Sequence, residues 1–191
     1  MSSRWPEKVI VGLTGNIATG KSTVLQMAQE RDALTLDADA VVHEILATDP
    51  GAQQAIADAF GPSVLQPDGA IDRATVAKIV FTDDTNLRQL EQILHPRVRR
   101  RLFAKIDRSP QDVVFIEAIK LLEGDLVDEC DQIWVTRCPI MTQVQRLMTH
   151  RNLDEETALM RVNAQSSQEI KAAAADIVID TGGAIDDTRT Y

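Results

Sequence analysis

A chain of 191 residues that is 44% hydrophobic, 4% aromatic and formally −9 in charge has room for one α/β domain with a sizeable core and an inserted lobe. The acidic balance argues against a general nucleic-acid surface, so a phosphate ligand must be held by a local positive site. No run approaches ~18 apolar residues, and Met1-Ser2-Ser3-Arg4-Trp5-Pro6 lacks an apolar signal region, which argues against a spanning helix and a leader and gives the expectation of a soluble cytoplasmic protein.

A first strand is expected over residues 8–13, through the apolar run Val9-Ile10-Val11-Gly12-Leu13. Directly after it, Gly15-Asn16-Ile17-Ala18-Thr19-Gly20-Lys21-Ser22 fits G-x-x-x-x-G-K-[ST]. A strand turning sharply into a helix leaves backbone N–H groups around a concavity, and the helix N-terminus adds partial positive charge, so phosphate binds there. Gly15 and Gly20 permit backbone conformations and approaches that a Cβ hinders. Lys21 can reach the outer phosphates, and the Ser22 hydroxyl can ligate Mg²⁺. A helix follows over 21–31, with Val24, Leu25, Met27 and Ala28 inward. A short second strand over 33–36 then ends at Asp37-Ala38-Asp39. Two carboxylates therefore stand at the carboxyl edge of a strand, where open α/β sheets bind ligands.

Residues 40–106 read as helices over 41–47, 52–60, 73–80, 86–94 and 96–106, with turns at Gly61-Pro62 and Pro67-Asp68-Gly69. That length exceeds a crossover and reads as a helical lobe. Ser109-Pro110 breaks the chain again. Strands are expected over 113–116, ending in Glu117, over 133–135, ending at Thr136-Arg137, and over 177–179. Residues 139–175 are helical and charged, with a turn at Asn152-Leu153-Asp154. Strands separated by helical segments imply a doubly wound parallel sheet. Cys130 and Cys138 have neither metal-site nor C-x-x-C spacing, and read as reduced, inert thiols in or near the core.

Phosphate loops serve GTPases, motor ATPases and small-molecule kinases alike. There is no guanine-specific N-K-x-D loop, and the third strand ends in Glu rather than Asp. The short chain, the helical insert and the charged segment near residue 146 favour a kinase of nucleotides or small metabolites. Phosphoryl transfer is mostly positioning and charge stabilisation. It needs a donor site, a carboxylate to take the acceptor's proton, and an Arg that covers the transferring group. Asp37 or Asp39 is available for the second role, and Arg137, Arg146, Arg151 and Arg161 for the third.

Taken together, Leu13-Thr14-Gly15-Asn16-Ile17-Ala18-Thr19-Gly20-Lys21-Ser22-Thr23-Val24, Asp37-Ala38-Asp39 and Leu94-His95-Pro96 make the chain resemble the dephospho-CoA kinase family, which reads L-T-G-G-I-G-S-G-K-S-T-V, D-A-D and L-H-P. Asp68-Gly69 with Asp72-Arg73, Thr142-Gln143 with Arg146 and Arg151, Arg161 with Gln165, and Ala175-Asp176 also match in order. The resemblance implies a P-loop NTPase three-layer α/β/α fold with a five-stranded parallel sheet. It implies a nucleotide core over 1–39, 107–138 and 176–191, a helical CoA-substrate domain over 40–106, and a lid with its following helix over 139–175. The implied activity is ATP-dependent phosphorylation of the ribose 3′-hydroxyl of dephospho-CoA, with Mg²⁺, by a monomer.

Carried over residue by residue, Asp39 is the general base, Lys21 the donor-site cation and Arg146 the lid cation. Gly15 to Thr23 bind ATP, and Ser22 holds the metal. Asp37 holds the substrate or the metal's water shell, while Arg73 and His95 line the acceptor site. Against the family pattern, Asn16 and Ala18 replace loop glycines, and Asn is a residue that tolerates positive φ. The usual P-L-L-F-E is replaced by Glu117-Ala118-Ile119-Lys120-Leu121-Leu122-Glu123. There Lys120 can add a cation at the acceptor site, and Glu117 can join the outer shell of Mg²⁺. Lys171 stands where an Arg is common, Thr181 where the family has a closing Asn, and Tyr191 where relatives continue into a helix.

Plainer roles stand beside these. Asp39 can serve as a helix cap, and Arg146 as a surface helix residue paired with a carboxylate. His95 can end a helix before Pro96 and bond locally. The run Arg97, Arg99, Arg100 and Arg101 is either a solvated helix face or an attractor of a phosphate-rich substrate. The rival functions are a kinase of another small acceptor and a nucleotide-dependent binding protein.

Overall fold

The structure is a computed structural model and describes residues 4–191; Met1-Ser2-Ser3 lies outside them. The chain divides into two compact units, one taking in the chain up to Leu36 together with Ser109–Tyr191, the other Asp37–Arg108.

The first unit is built on a five-stranded sheet of β1 (Val9–Gly15), β2 (Leu34–Asp37), β3 (Val113–Glu117), β4 (Gln132–Arg137) and β5 (Ile177–Asp180), in the order β2-β3-β1-β4-β5. β1 pairs in parallel with β3, Val11 opposite Phe115, and with β4, Leu13 opposite Trp134; β4 pairs in parallel with β5. A central parallel strand is covered on both faces and needs a near-continuous apolar run. β1 is buried from Ile10 onward. α1 (Lys21–Gln29) packs Val24 and Ala28 against Val11, Leu13, Phe115 and Ile179. Phe115 and Trp134 meet edge to face, with ring centroids 5.2 Å apart.

After β3 the chain makes two short 3-10 turns, Leu121–Glu123 and Asp125–Glu129, which the sequence pattern does not announce. They lie so close to β1 that a Cβ on Gly12 would stand 2.6 Å from Leu121 Cδ2 and 2.8 Å from Cys130 Sγ. α6 (Ile140–Arg151) and α7 (Glu155–Asn163) form a second cluster of Val144, Leu147, Ala158 and Val162, against which Ile17 and Ala18 of the loop pack. The turn expected at 152–154 is present. Asn152 is left-handed at φ 50°, and the Asp154 carboxylate caps α7 by accepting from Thr157 N–H at 2.8 Å. A further break over 164–167, not foreseen from the sequence, precedes α8 (Gln168–Ala173). α9 (Ile185–Thr188) follows β5.

The second unit contains α2 (Ala38–Thr48), α3 (Pro50–Phe60), α4 (Arg73–Val80) and α5 (Asp84–Arg108), around Ile45, Ile56, Val64, Leu102 and Ile106. Three acidic caps start its first helices. Asp37, Asp49 and Asp72 accept from the N–H groups of Ala40, Ala52 and Ala74 respectively.

The helices expected over 86–94 and 96–106 are one helix of 25 residues with Pro96 inside it. The apolar stripe Leu94, Val98, Leu102 and Ile106 runs at i, i+4 straight through the proline, and all four are buried. Tertiary burial therefore overrides the break that a proline signals. Among the described residues no helix is long and apolar enough to cross a membrane.

Candidate active site

The loop between β1 and α1 needs its glycines for stated reasons. Gly15 has φ 149°, and a Cβ there would collide with the Thr136 side chain and stand 2.6 Å from the Thr136 carbonyl oxygen. Gly20, the residue before α1, is left-handed at φ 87°, and its Cβ would meet Thr181 Oγ1 at 3.2 Å. The other positive φ in the loop falls on Ala18, at 58°, and not on Asn16, so the tolerance attributed to Asn16 is not what the fold uses. Asn16 is buried, and its Nδ2 donates to Ser166 O at 2.8 Å. Thr19 stitches the loop together. Its hydroxyl donates to Asn16 O at 2.7 Å and shares a 2.7 Å hydrogen bond with Thr136 Oγ1, while its carbonyl accepts from Thr181 Oγ1 at 2.7 Å. Thr136, which the sequence marks only as a strand end, joins the site from the carboxyl end of a parallel strand.

Lys21 opens α1 and is buried. Its Nζ donates to Gly15 O at 3.0 Å and Asn16 O at 3.2 Å, and lies 3.8 Å from Glu117 Oε1 at the end of β3. Ser22 is exposed beside it, and Thr23 is half-buried. A concave backbone with no room for a side chain at Gly15 and a left-handed Gly20, and with an ammonium at its base, suits a polyphosphate. Among the described residues no group of three His, Cys, Asp or Glu forms a metal cage. A Ser hydroxyl beside bound phosphates fits Mg²⁺, which keeps waters and is held largely by phosphate oxygens.

Arg146, on α6, is half-buried. Nη1 donates to Ala18 O at 3.1 Å and to Thr181 Oγ1 at 3.3 Å, and Nη2 donates to Thr181 O at 2.6 Å. The guanidinium thus joins the phosphate loop to the turn after β5, rather than pairing with a carboxylate on a helix surface. Its Nη1 also lies 3.6 Å from Cys138 Sγ. Burial pushes the Cys138 thiol above its ordinary range, against the opposing pull of Arg146. Arg137 pairs with Asp180 at 3.6 Å, and Arg151 and Arg161 are exposed. Both cysteines are free thiols.

Lys120 is exposed in the turn after β3. The carbonyl of its neighbour Ile119 accepts from Thr14 Oγ1 at 3.2 Å and from Lys171 Nζ at 3.1 Å. Lys171 is buried, and burial lowers its ammonium pKa, with Glu123 acting in the opposite sense. A cleft of about 920 Å³ beside the loop is lined by Asn16, Arg137, Gln143, Gln165, Gln168 and Asp180, among others.

In the second unit, Asp37 caps α2 with its carboxylate 2.9 Å from Ala40 N. Asp39 lies in the first turn of the same helix and is exposed, so the capping role belongs to Asp37. Arg73 lies at the start of α4, 2.7 Å from His43 Nε2. His95 is exposed in the middle of α5 rather than at a helix end. The arginine run is only in part a solvated face. Arg97 donates to Gly51 O at 3.1 Å, Arg99 lies over the Phe103 ring at 5.2 Å, and Arg101 pairs with Glu44 at 2.9 Å.

The family model described as dephospho-CoA kinase matches residues 9–187. The dephospho-CoA kinase of Synechococcus sp. (strain CC9902) is 42% identical over 186 residues, covering 96% of this chain and 93% of that protein. That of Thermobifida fusca (strain YX) is 40% identical over 174 residues, covering 91% and 87%. Among solved structures, TT1252 from Thermus thermophilus superposes with a TM-score of 0.83 at 30% identity, covering 95% of this chain and 93% of that one. A shikimate kinase from Acinetobacter baumannii, at 17% identity and a TM-score of 0.55, covers 97% of this chain and 91% of that one, and shares the fold. With the phosphate loop in place between β1 and α1 and the match running almost from end to end, the chain is a P-loop kinase and belongs to the dephospho-CoA kinase family.

Proposed function

We propose that the chain transfers the γ-phosphoryl group of ATP to the ribose 3′-hydroxyl of dephospho-CoA, giving CoA and ADP. The observation that carries this reading is the phosphate loop with Lys21 buried at its base against Glu117, in a chain whose family is defined by that reaction. The loop N–H groups and Lys21 hold the β- and γ-phosphates. Ser22 would hold Mg²⁺, which would supply charge neutralisation at the phosphate oxygens. Asp39 takes the 3′-hydroxyl proton as the oxygen–phosphorus bond forms and the β–γ bridge breaks, with no phospho-enzyme. Arg146, hydrogen-bonded to loop residue Ala18, adds a second cation at the phosphates.

Asp37, Arg73, His95 and Lys120 serve the acceptor, with residues 40–106 as the CoA-binding part and 139–175 as the lid. The enzyme is read as a cytoplasmic monomer acting on a small molecule. The test is ADP release with ATP and Mg²⁺, with and without dephospho-CoA, with the product weighed. Strong stimulation and a mass gain of one phosphate are expected. ATP binding without stimulation sinks the acceptor assignment.

A further inference from the structure

Three side chains at three-residue spacing, Gln165, Gln168 and Lys171, reach the loops after three different strands. Gln165 Oε1 accepts from Ile17 N–H, after β1, at 2.6 Å. Gln168 takes both backbone groups of Cys138, after β4. Cys138 N–H donates to Oε1 at 3.2 Å, and Nε2 donates to Cys138 O at 3.0 Å. Lys171 Nζ donates to Ile119 O, after β3, at 3.1 Å. A fourth tie runs beside the first, from Asn16 Nδ2 to Ser166 O at 2.8 Å.

The first tie acts on the site through one planar peptide. The N–H of Ile17 and the C=O of Asn16 belong to the same peptide group and point in opposite directions. Gln165 holds the N–H side. On the other side Asn16 O accepts from Thr19 Oγ1 at 2.7 Å and Lys21 Nζ at 3.2 Å. Releasing the N–H frees the peptide to turn, and the carbonyl that seats Lys21 turns with it.

We propose that residues 165–171 form a brace that presets the phosphate loop, with Gln165 as the positioning residue that fixes Lys21 through the Asn16–Ile17 peptide. The proposal rests on the reading that this loop binds nucleotide, and not on the identity of the acceptor. Gln165→Met keeps the side chain's length and removes the acceptor, and Asn16→Gly removes the neighbouring tie to Ser166 and loosens the same peptide from its other end. Titration with MgADP by calorimetry is paired with steady-state kinetics.

Loss of one hydrogen bond to a partly buried backbone N–H is expected to weaken MgADP binding by about tenfold in Gln165→Met. The KM for ATP should rise by the same factor, with kcat within twofold and the acceptor KM unchanged. Asn16→Gly should weaken binding by roughly threefold, and it keeps the proposal open to test if Gln165→Met does not fold. MgADP affinity unchanged in the folded variants overturns the brace. So does an ATP KM that stays at the wild-type value in the folded Gln165→Met variant. A wild-type protein that binds no MgADP removes the nucleotide reading beneath it, whereas a failed acceptor assay leaves this titration fully decisive.

Discussion

Lys21 Nζ and Glu117 Oε1 stand 3.8 Å apart, with the two side chains only 9% and 14% exposed. A buried ammonium of this kind depends on its counter-charge, because removing one partner leaves the other desolvated and uncompensated. Glu117→Gln is expected to lower kcat/KM for ATP by about 10- to 100-fold. Lys21→Ala should abolish ATP use, since it removes the cation itself. Steady-state kinetics at varied ATP checks both, and wild-type kcat/KM in Glu117→Gln would show that Lys21 is seated by the loop carbonyls alone.

Asp37 and Asp39, two residues apart, divide by role. Asp37→Ala removes the α2 cap and is expected to destabilise the fold by about 1 kcal/mol, read by denaturant unfolding. Asp39→Asn leaves that cap in place. It should lower kcat by ~10²-fold or more while ATP still binds. Unchanged turnover in Asp39→Asn removes it as the base.

Pro96 sits inside α5, where its missing N–H leaves the Gln92 carbonyl without its helical donor. Pro96→Ala restores that donor and a better helix residue, partly offset by greater freedom of the unfolded chain. A gain of about 1–2 kcal/mol in urea unfolding is expected. A loss would show that the proline fits a bend the packing requires.

The Cys130 thiol is pushed up to about 12 by burial, and further by the neighbouring Asp131 and Glu129, from an ordinary 9.0. Between those values the folded chain keeps a proton that the unfolded chain has lost, so stability falls as pH rises through that window. Cys130→Ala should flatten the fall between pH 9 and 11. Lys171, lowered by burial, gives a slope of opposite sign that is common to both proteins. Iodoacetamide at pH 7.5 should label Cys130 only after unfolding.

What could be read from the sequence follows from where chemistry leaves a local signature. The loop, its strand and its helix were legible because G-x-x-x-x-G-K-[ST] constrains backbone and charge together. The later strands were legible as short apolar runs, although β4 reaches from Gln132 to Arg137, beyond the apolar 133–135. Pro96 misled because local propensity is a weaker force than the buried stripe that continues past it. The α7–α8 break and the roles of Gln165 and Gln168 were not legible, because these amides bind backbone atoms remote in sequence, and such partners carry no residue code. Asn16 suggests a positive-φ position, but φ is positive at Ala18 instead, and Asn16 serves through its carbonyl and its side-chain amide.

Ala18 holds a left-handed backbone at φ 58° with its carbonyl bound by Arg146, in a loop where the family pattern has glycine. A glycine there would leave the loop a wider set of shapes, to be narrowed when a ligand arrives. Here the narrowing takes place during folding, through strain at one alanine held down by one guanidinium. Nucleotide association should therefore carry a smaller entropic penalty than in a glycine-rich loop, and a binding free energy that changes less steeply with temperature. The stability of the empty fold bears the difference.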